Sequence, residues 1–358
     1  MTSDRPAAIE RLRDDALRAR VDPSGFHRLL EGLPNQAREA WRLGMEGALP
    51  GLRRVDRVLL AGVGGSAIGA DVAATLASDR CATPVRVVRN YHLPPLTAET
   101  LVILCSFSGN TEETLAAFEA VEASPAQGIA ITTGGTLEAR ARAAGMPVFT
   151  YQWPGPPRTG LGYGALVPLA ILRRLGVLDI TDEEVASGIA ALERAVEEYG
   201  LGHAESHAKR LAAWLDGGVP AIIGADLLEV AARRWAGEMS ENAKQVAAAY
   251  AIPEFNHNQL EAVARPDTHV DPLRFVLLDA PPVHPRNRLR VTQTAEMMQA
   301  AGRHVQIADA GGETPLEAIL ASASLGSWAS YYLGVLREVD PAPLTVMDRL
   351  KRTLAREQ

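Results

Sequence analysis

Between Ser106 and Thr114 the chain reads Ser-Phe-Ser-Gly-Asn-Thr-Glu-Glu-Thr, directly after an apolar run. Hydroxyls at Ser106, Ser108 and Thr111, set ahead of a helix start, can hold a phosphate. Side-chain hydroxyls and exposed backbone amides supply the donors, and no basic cluster is required. Helix capping accounts for one of these hydroxyls, most naturally Thr111, but not for all three together. A second turn, with Gly62, Gly64, Gly65, Ser66 and Gly69, also follows an apolar run and opens a helix. Its glycines suit close backbone approach to a hexose or a phosphate, and they equally suit a tight structural turn. A dinucleotide fingerprint is a poorer match, because the spacing is imperfect and no acidic ribose partner stands clearly at the next strand end.

Residue type alone selects no proton-transfer group. Glu241 lies in a long helical run and reads as a solvated carboxylate; His257, in an Asn-His-Asn turn, reads as a loop histidine. Arg158 reads as an anchor for a proline-rich loop, and Lys351 as a solvent-facing lysine. The eight histidines form no compact metal signature. His203 and His207 have helical i,i+4 spacing, but the intervening residues do not complete a zinc-protease helix. The basic loop around His284 can bind phosphate or cap a domain, and is too short to argue for nucleic acid.

The elements that would carry these residues alternate between apolar strands and helices. Strand signals lie at "RVLLA", "VRVV", "TLVILCS", "GIAIT" and "PVFT", then at "VPAII", "LRFVLLD" and "HVQIAD". Helical patterns cover 5–20, 35–47, 162–174, 180–215, 226–248 and 314–334. Continuous apolar strands between helices predict a mostly parallel sheet covered on both faces. Ligands then bind beyond the carboxyl ends of the strands, where the hydroxyl loop and the glycine turn lie. The alternation occurs twice. It predicts an N-terminal helical segment (1–50), a first α/β domain (51–178), a helical linker (179–215), a second α/β domain (216–340) and a C-terminal tail (341–358).

Composition narrows the function. The net charge is −7, from 36 Lys+Arg against 43 Asp+Glu, which disfavours nucleic acid as a partner. It repels small phosphorylated substrates at long range too, so a phosphate pocket must be a local arrangement. Cys81 and Cys105 are the two cysteines, and a reducing cytoplasm fits them better than a structural disulfide does. The N-terminus lacks a signal-like apolar stretch, and no run reads as long enough to cross a bilayer. A cytoplasmic protein without a membrane partner is expected.

At the hydroxyl loop the chain resembles the sugar isomerase (SIS) domain superfamily, and within it the bifunctional phosphoglucose/phosphomannose isomerase family. "GVGGSAIGAD" and "SFSGNTEET" are similar to that family's first-domain motifs. "PGPPRTGLGYG", "MSENAKQVAAAY", "PEFNHNQ" and "DPAPLTVMDRLKRTL" resemble its later ones, in order, so the resemblance covers essentially the whole chain. It implies an α/β fold of two SIS domains, each with a mostly parallel central sheet flanked by helices. It implies metal-independent, cofactor-free interconversion of glucose 6-phosphate or mannose 6-phosphate with fructose 6-phosphate through an enediol. Glu241 corresponds to the base, His257 to the ring-opening group, Arg158 to the cation near the enediol oxygen, and Lys351 to an assisting lysine in the tail. Gly65 and Ser66 would line the sugar site; Ser106, Ser108 and Thr111 would hold the phosphate. The family's histidine comes from across a subunit interface, which implies a homodimer with His257 so supplied. Two departures stand out: Phe107 replaces a common tyrosine, and Gln259 stands where an acid often follows the His-Asn pair. Alternative readings are an isomerase for another sugar phosphate, and a noncatalytic sugar-phosphate sensor, which would need the hydroxyl loop alone.

Overall fold

The computed structural model describes residues 5–268, 270 and 272–354. Four helices come first: α1 (Arg5–Arg13), α2 (Asp15–Val21), α3 (Phe26–Glu31) and α4 (Leu33–Glu46). Then follow β1 (Arg57–Ala61), α5 (Gly64–Ser78), β2 (Val85–Val88), β3 (Thr100–Ser106), α6 (Glu112–Glu122), β4 (Gln127–Thr132), α7 (Gly135–Ala143) and β5 (Val148–Thr150). Helices α8 (Leu161–Arg174), α9 (Asp182–Tyr199) and α10 (His207–Leu215) lead to β6 (Val219–Ala225), α11 (Glu229–Asn242) and β7 (Ala248–Ile252). The chain continues through α12 (Glu254–His257), α13 (Gln259–Val263), β8 (Leu273–Asp279), α14 (Pro285–Ala300), β9 (Val305–Asp309), α15 (Pro315–Leu336) and α16 (Thr345–Leu354).

Two compact units result. The five-stranded unit comprises Glu31–Arg194 and Gly311–Ala321; the four-stranded unit comprises Met1–Leu30, Ala195–Ala310 and Ser322–Gln358. Their sheets run β2-β1-β3-β4-β5 and β7-β6-β8-β9, and every pairing is parallel. This is the expected α/β architecture of two parallel sheets flanked by helices. Strand β6 takes the place in the second sheet that β1 takes in the first, and β8 that of β3. All seven residues of β3 are buried, as a central strand covered on both faces requires.

In the five-stranded unit small residues set the helix spacing. A side chain at Gly69 of α5 would collide with the backbone of Gly164 in α8, and one at Gly44 of α4 with Ala170 of α8. Buried Cys105 lies in β3, and burial pushes its thiol up to about 12; the half-buried Cys81 thiol is raised less simply, since Arg80 opposes the burial. The thiolate is the reactive form. A thiol reagent at mildly alkaline pH is therefore expected to leave Cys105 untouched in the native protein and to titrate both cysteines in guanidinium. Rapid release of two equivalents from native protein would contradict a closed β3 core.

Two sequence expectations change. The helix expected over 226–248 begins after a short 3-10 turn at Asp226–Leu228 and stops at Asn242. Lys244 then takes φ +50, which breaks the helix, and Ala248–Ile252 joins the sheet edge beside β6. Its alanines favour helix locally, and pairing with β6 overrides that preference. Helix α15, at 22 residues, does reach bilayer-spanning length and hydropathy, contrary to the sequence reading, but its apolar window is wholly buried within the protein, as in a core helix.

Candidate active site

The five-stranded unit gathers one group of candidates at the carboxyl ends of β1 and β3. Ser106, the last residue of β3, is buried, and its Oγ donates to Thr111 Oγ1 at 3.0 Å. It also accepts from Gly109 N at 3.1 Å. Ser108 is exposed and accepts from Asn110 N at 3.2 Å. Thr111 holds the N-cap position of α6, yet its side chain caps nothing. The capping role that residue type suggested is thus absent, and Thr111 Oγ1 is turned to Ser106 instead. Gly109 allows the bend, with φ +68, in the left-handed region open to glycine.

The glycine turn meets this loop. Ser66, on α5, accepts from Phe107 N through its Oγ at 3.1 Å. A Cβ on Gly65 would come within 2.8 Å of the Pro157 carbonyl group and 3.0 Å of Arg158 N. Gly65 is therefore the residue that lets the Arg158 loop close onto α5. Arg158 is buried in a 3-10 turn at Pro157–Thr159. So Gly65, Ser66, Ser106, Ser108, Thr111 and Arg158 are linked through neighbouring contacts in one unit. Phe107, at the departure from the family pattern, packs edge-on to Tyr151, which stacks on Tyr163 with centroids 4.1 Å apart.

Two supports escaped the sequence reading. Gln36 of α4 donates to Thr159 O at 2.9 Å and accepts from Gly162 N at 2.7 Å, pinning the junction between the Arg158 turn and α8. Nothing in the sequence of α4 marks that glutamine. The turn after β4 is the other. Thr133 Oγ1 donates to Phe107 O at 2.7 Å, Thr136 N to Asn110 Oδ1 at 3.0 Å, and Leu137 N to Gly109 O at 2.9 Å. A strand-turn-helix signal was present here, in Thr132-Thr133-Gly134-Gly135.

The four-stranded unit carries Glu241, His257 and Lys351 on three separate elements. Glu241 is half-buried at the penultimate position of α11, and Lys244 Nζ donates to its backbone carbonyl at 2.6 Å. His257 ends α12 and is exposed. Its neighbours hold the segment: Phe255 is buried against Tyr250, and Asn256 Nδ2 donates to Thr294 Oγ1 at 2.7 Å. Lys351 is exposed on α16, a helix with no buried residue. Val346, Met347, Leu350 and Leu354 form an apolar stripe along it, Val346 being 69% exposed. Among the described residues, neither the His257 nor the Lys351 side chain makes a hydrogen bond within the chain, and no cluster of three or more metal-ligating side chains occurs. A cavity of about 470 Å³ beside Arg18, Ser24, His27 and Arg28 contains none of the candidate residues.

Residues 204–354 match the model of the bacterial phospho-glucose isomerase C-terminal SIS domain. Over 328 residues the chain is 34% identical to a bifunctional phosphoglucose/phosphomannose isomerase of Caldicellulosiruptor bescii, covering 90% of this chain and 97% of that one. It is 26% identical over 280 residues to a D-glucosamine-6-phosphate 4-epimerase of Sulfolobus acidocaldarius, covering 74% and 87%. Among solved structures, a hypothetical protein from Thermus thermophilus superposes with a TM-score of 0.75 at 20% identity, over 98% of this chain and 94% of that one. At that identity the likeness speaks for the fold alone.

Proposed function

The chain belongs to the bifunctional phosphoglucose/phosphomannose isomerase family, sugar-phosphate isomerases of the SIS superfamily, and on that premise we propose that it interconverts glucose 6-phosphate or mannose 6-phosphate with fructose 6-phosphate. Similarity to the Caldicellulosiruptor enzyme along nearly its whole length carries this reading. The hydroxyl loop supports it, because a phosphorylated substrate needs a phosphate holder before any proton moves.

In this reading Ser106, Ser108 and Thr111 bind the phosphate by hydroxyls and loop amides, and Gly65 and Ser66 line the sugar. His257 transfers protons between the ring oxygen and the anomeric hydroxyl as the ring opens, assisted by Lys351. Glu241 then takes the C2 proton of the aldose and returns it to C1 of the enediol, giving the ketose; in reverse it takes the C1 proton. Negative charge grows on oxygen as the enediol forms, and Arg158 offsets it with a fixed, permanently charged donor group. Glucose and mannose differ at C2, so one carboxylate serves both only if the opened chain rotates about C2–C3. The proposal includes a cytoplasmic homodimer in which His257 acts across the interface, and catalysis without a metal.

The test is direct. Each of the three hexose 6-phosphates is incubated with purified protein in EDTA, and the products are resolved. All three should appear from any one of them. Folded protein that forms none, at saturating substrate, overturns the assignment. Likeness to an enzyme named for glucosamine 6-phosphate favours a second reading, an isomerase acting on another phosphorylated sugar. Turnover of such a sugar with none of these three would establish it, and binding without turnover would favour a sensor.

A further inference from the structure

Helix α11 places Arg234, Glu238 and Asn242 four residues apart, on one face, and all three are buried. That face is sewn to α15. Arg234 Nη2 donates to Glu238 Oε1 at 2.6 Å and to Ser327 Oγ at 3.3 Å. Ser327 Oγ lies 3.0 and 2.9 Å from the two carboxylate oxygens of Glu238. Ser330 Oγ donates to Ser327 O at 2.8 Å and accepts from Asn242 Nδ2 at 2.9 Å. Trp235 Nε1 donates to Ser322 O at 2.7 Å, and any side chain at Gly326 would collide with that indole. Beyond the helix end, Arg337 Nε donates to Ala243 O at 3.0 Å.

Taking a guanidinium and a carboxylate out of water is costly, and an apolar pair of similar volume often serves stability as well or better. A plain helix contact does not need this chain of groups. What directed hydrogen bonds add is a single rotation and a single axial register. Successive helix residues are about 100° apart, so anchoring the 234–238–242 face sends Glu241 in one direction. A carboxylate about 6 Å from the helix axis moves about 2 Å when the helix turns by about 20°. Proton transfer between neighbouring carbons tolerates less than that.

We propose that Arg234, Glu238, Ser327, Ser330 and Asn242 are positioning residues that aim the Glu241 carboxylate, an inference that rests on the role of Glu241 proposed above. None of the five is assigned contact with substrate. The deciding experiment is the double variant Arg234→Met/Glu238→Leu in the full chain, which replaces the ion pair by apolar side chains. Its thermal midpoint should stay within a few degrees of the parent or rise, and KM for fructose 6-phosphate should change less than about threefold. The kcat value should fall by about tenfold to a hundredfold. A merely structural pair would show no such split. A folded double variant with parental kcat overturns the proposal.

If that variant fails to fold, Ser330→Ala decides. Folded protein with lowered kcat and parental KM supports positioning, and parental kcat overturns it. Failure of this variant to fold as well would make the network a stability element and also overturn it. Failure of the functional reading looks different, for it leaves the parent chain without isomerase activity.

Discussion

Glu241→Gln protein is expected to fold as the parent does and to lose about a thousandfold in kcat for every interconversion, near the middle of the range for a positioned proton-transfer group. The substitution keeps the shape and removes the proton acceptor. The hydrogen bond from Lys244 Nζ to the Glu241 backbone carbonyl, at the helix end, is available to glutamine as well. The half-buried position also spares the core. Loss of exchange should accompany loss of turnover. In heavy water the parent should incorporate deuterium at C1 of fructose 6-phosphate, and the variant should not. Parental turnover in folded Glu241→Gln protein would remove Glu241 from the chemistry.

Gly109→Ala should be the most damaging change at the proposed phosphate loop. Its φ of +68 already costs a residue with a Cβ roughly 1 to 2 kcal/mol. The new methyl would in addition collide with Gly134 O, in the turn that hydrogen bonds from Thr133, Thr136 and Leu137 tie to the hydroxyl loop. Relief requires the two turns to part, which disperses the Ser106, Ser108 and Thr111 hydroxyls. Inhibition by inorganic phosphate should weaken by more than about tenfold, with KM rising in parallel, since each hydrogen bond to a charged group contributes about 1.5 to 3 kcal/mol. Ser108→Ala is the milder companion, because that side chain is exposed and its removal disturbs no packing. Undiminished phosphate inhibition in both proteins would remove the loop from substrate binding.

The legible parts of this molecule are those whose chemistry is contiguous. The hydroxyl loop and the glycine turn each lie within a single short stretch, at a junction from strand to helix. Alternation of apolar strands and helices likewise marks eight of the nine strands among the described residues through local pattern. Strand β7 escaped because alanine favours helix locally, and only pairing with β6 makes Ala248–Ile252 extended. Gln36 escaped for another reason. Its partners Thr159 and Gly162 lie more than a hundred positions away, and a glutamine on a helix otherwise looks like solvent-facing surface. The same holds for Arg234 and Glu238, an i,i+4 pair that reads as an exposed helix salt bridge until Ser327 is seen to cover it. Long-range contact, not residue type, turns these polar groups into interior ones.

Helix α16 has ten residues, buries none of them, and carries Lys351. A segment that short gains little by staying coiled in water, so its backbone is expected to open to contaminating proteases before the rest of the chain does. On storage the first cut should fall there. The remaining chain would keep its melting curve and its retention on a column while lacking the lysine. Intact-mass spectrometry, not a stability assay, is what would reveal such a truncated preparation.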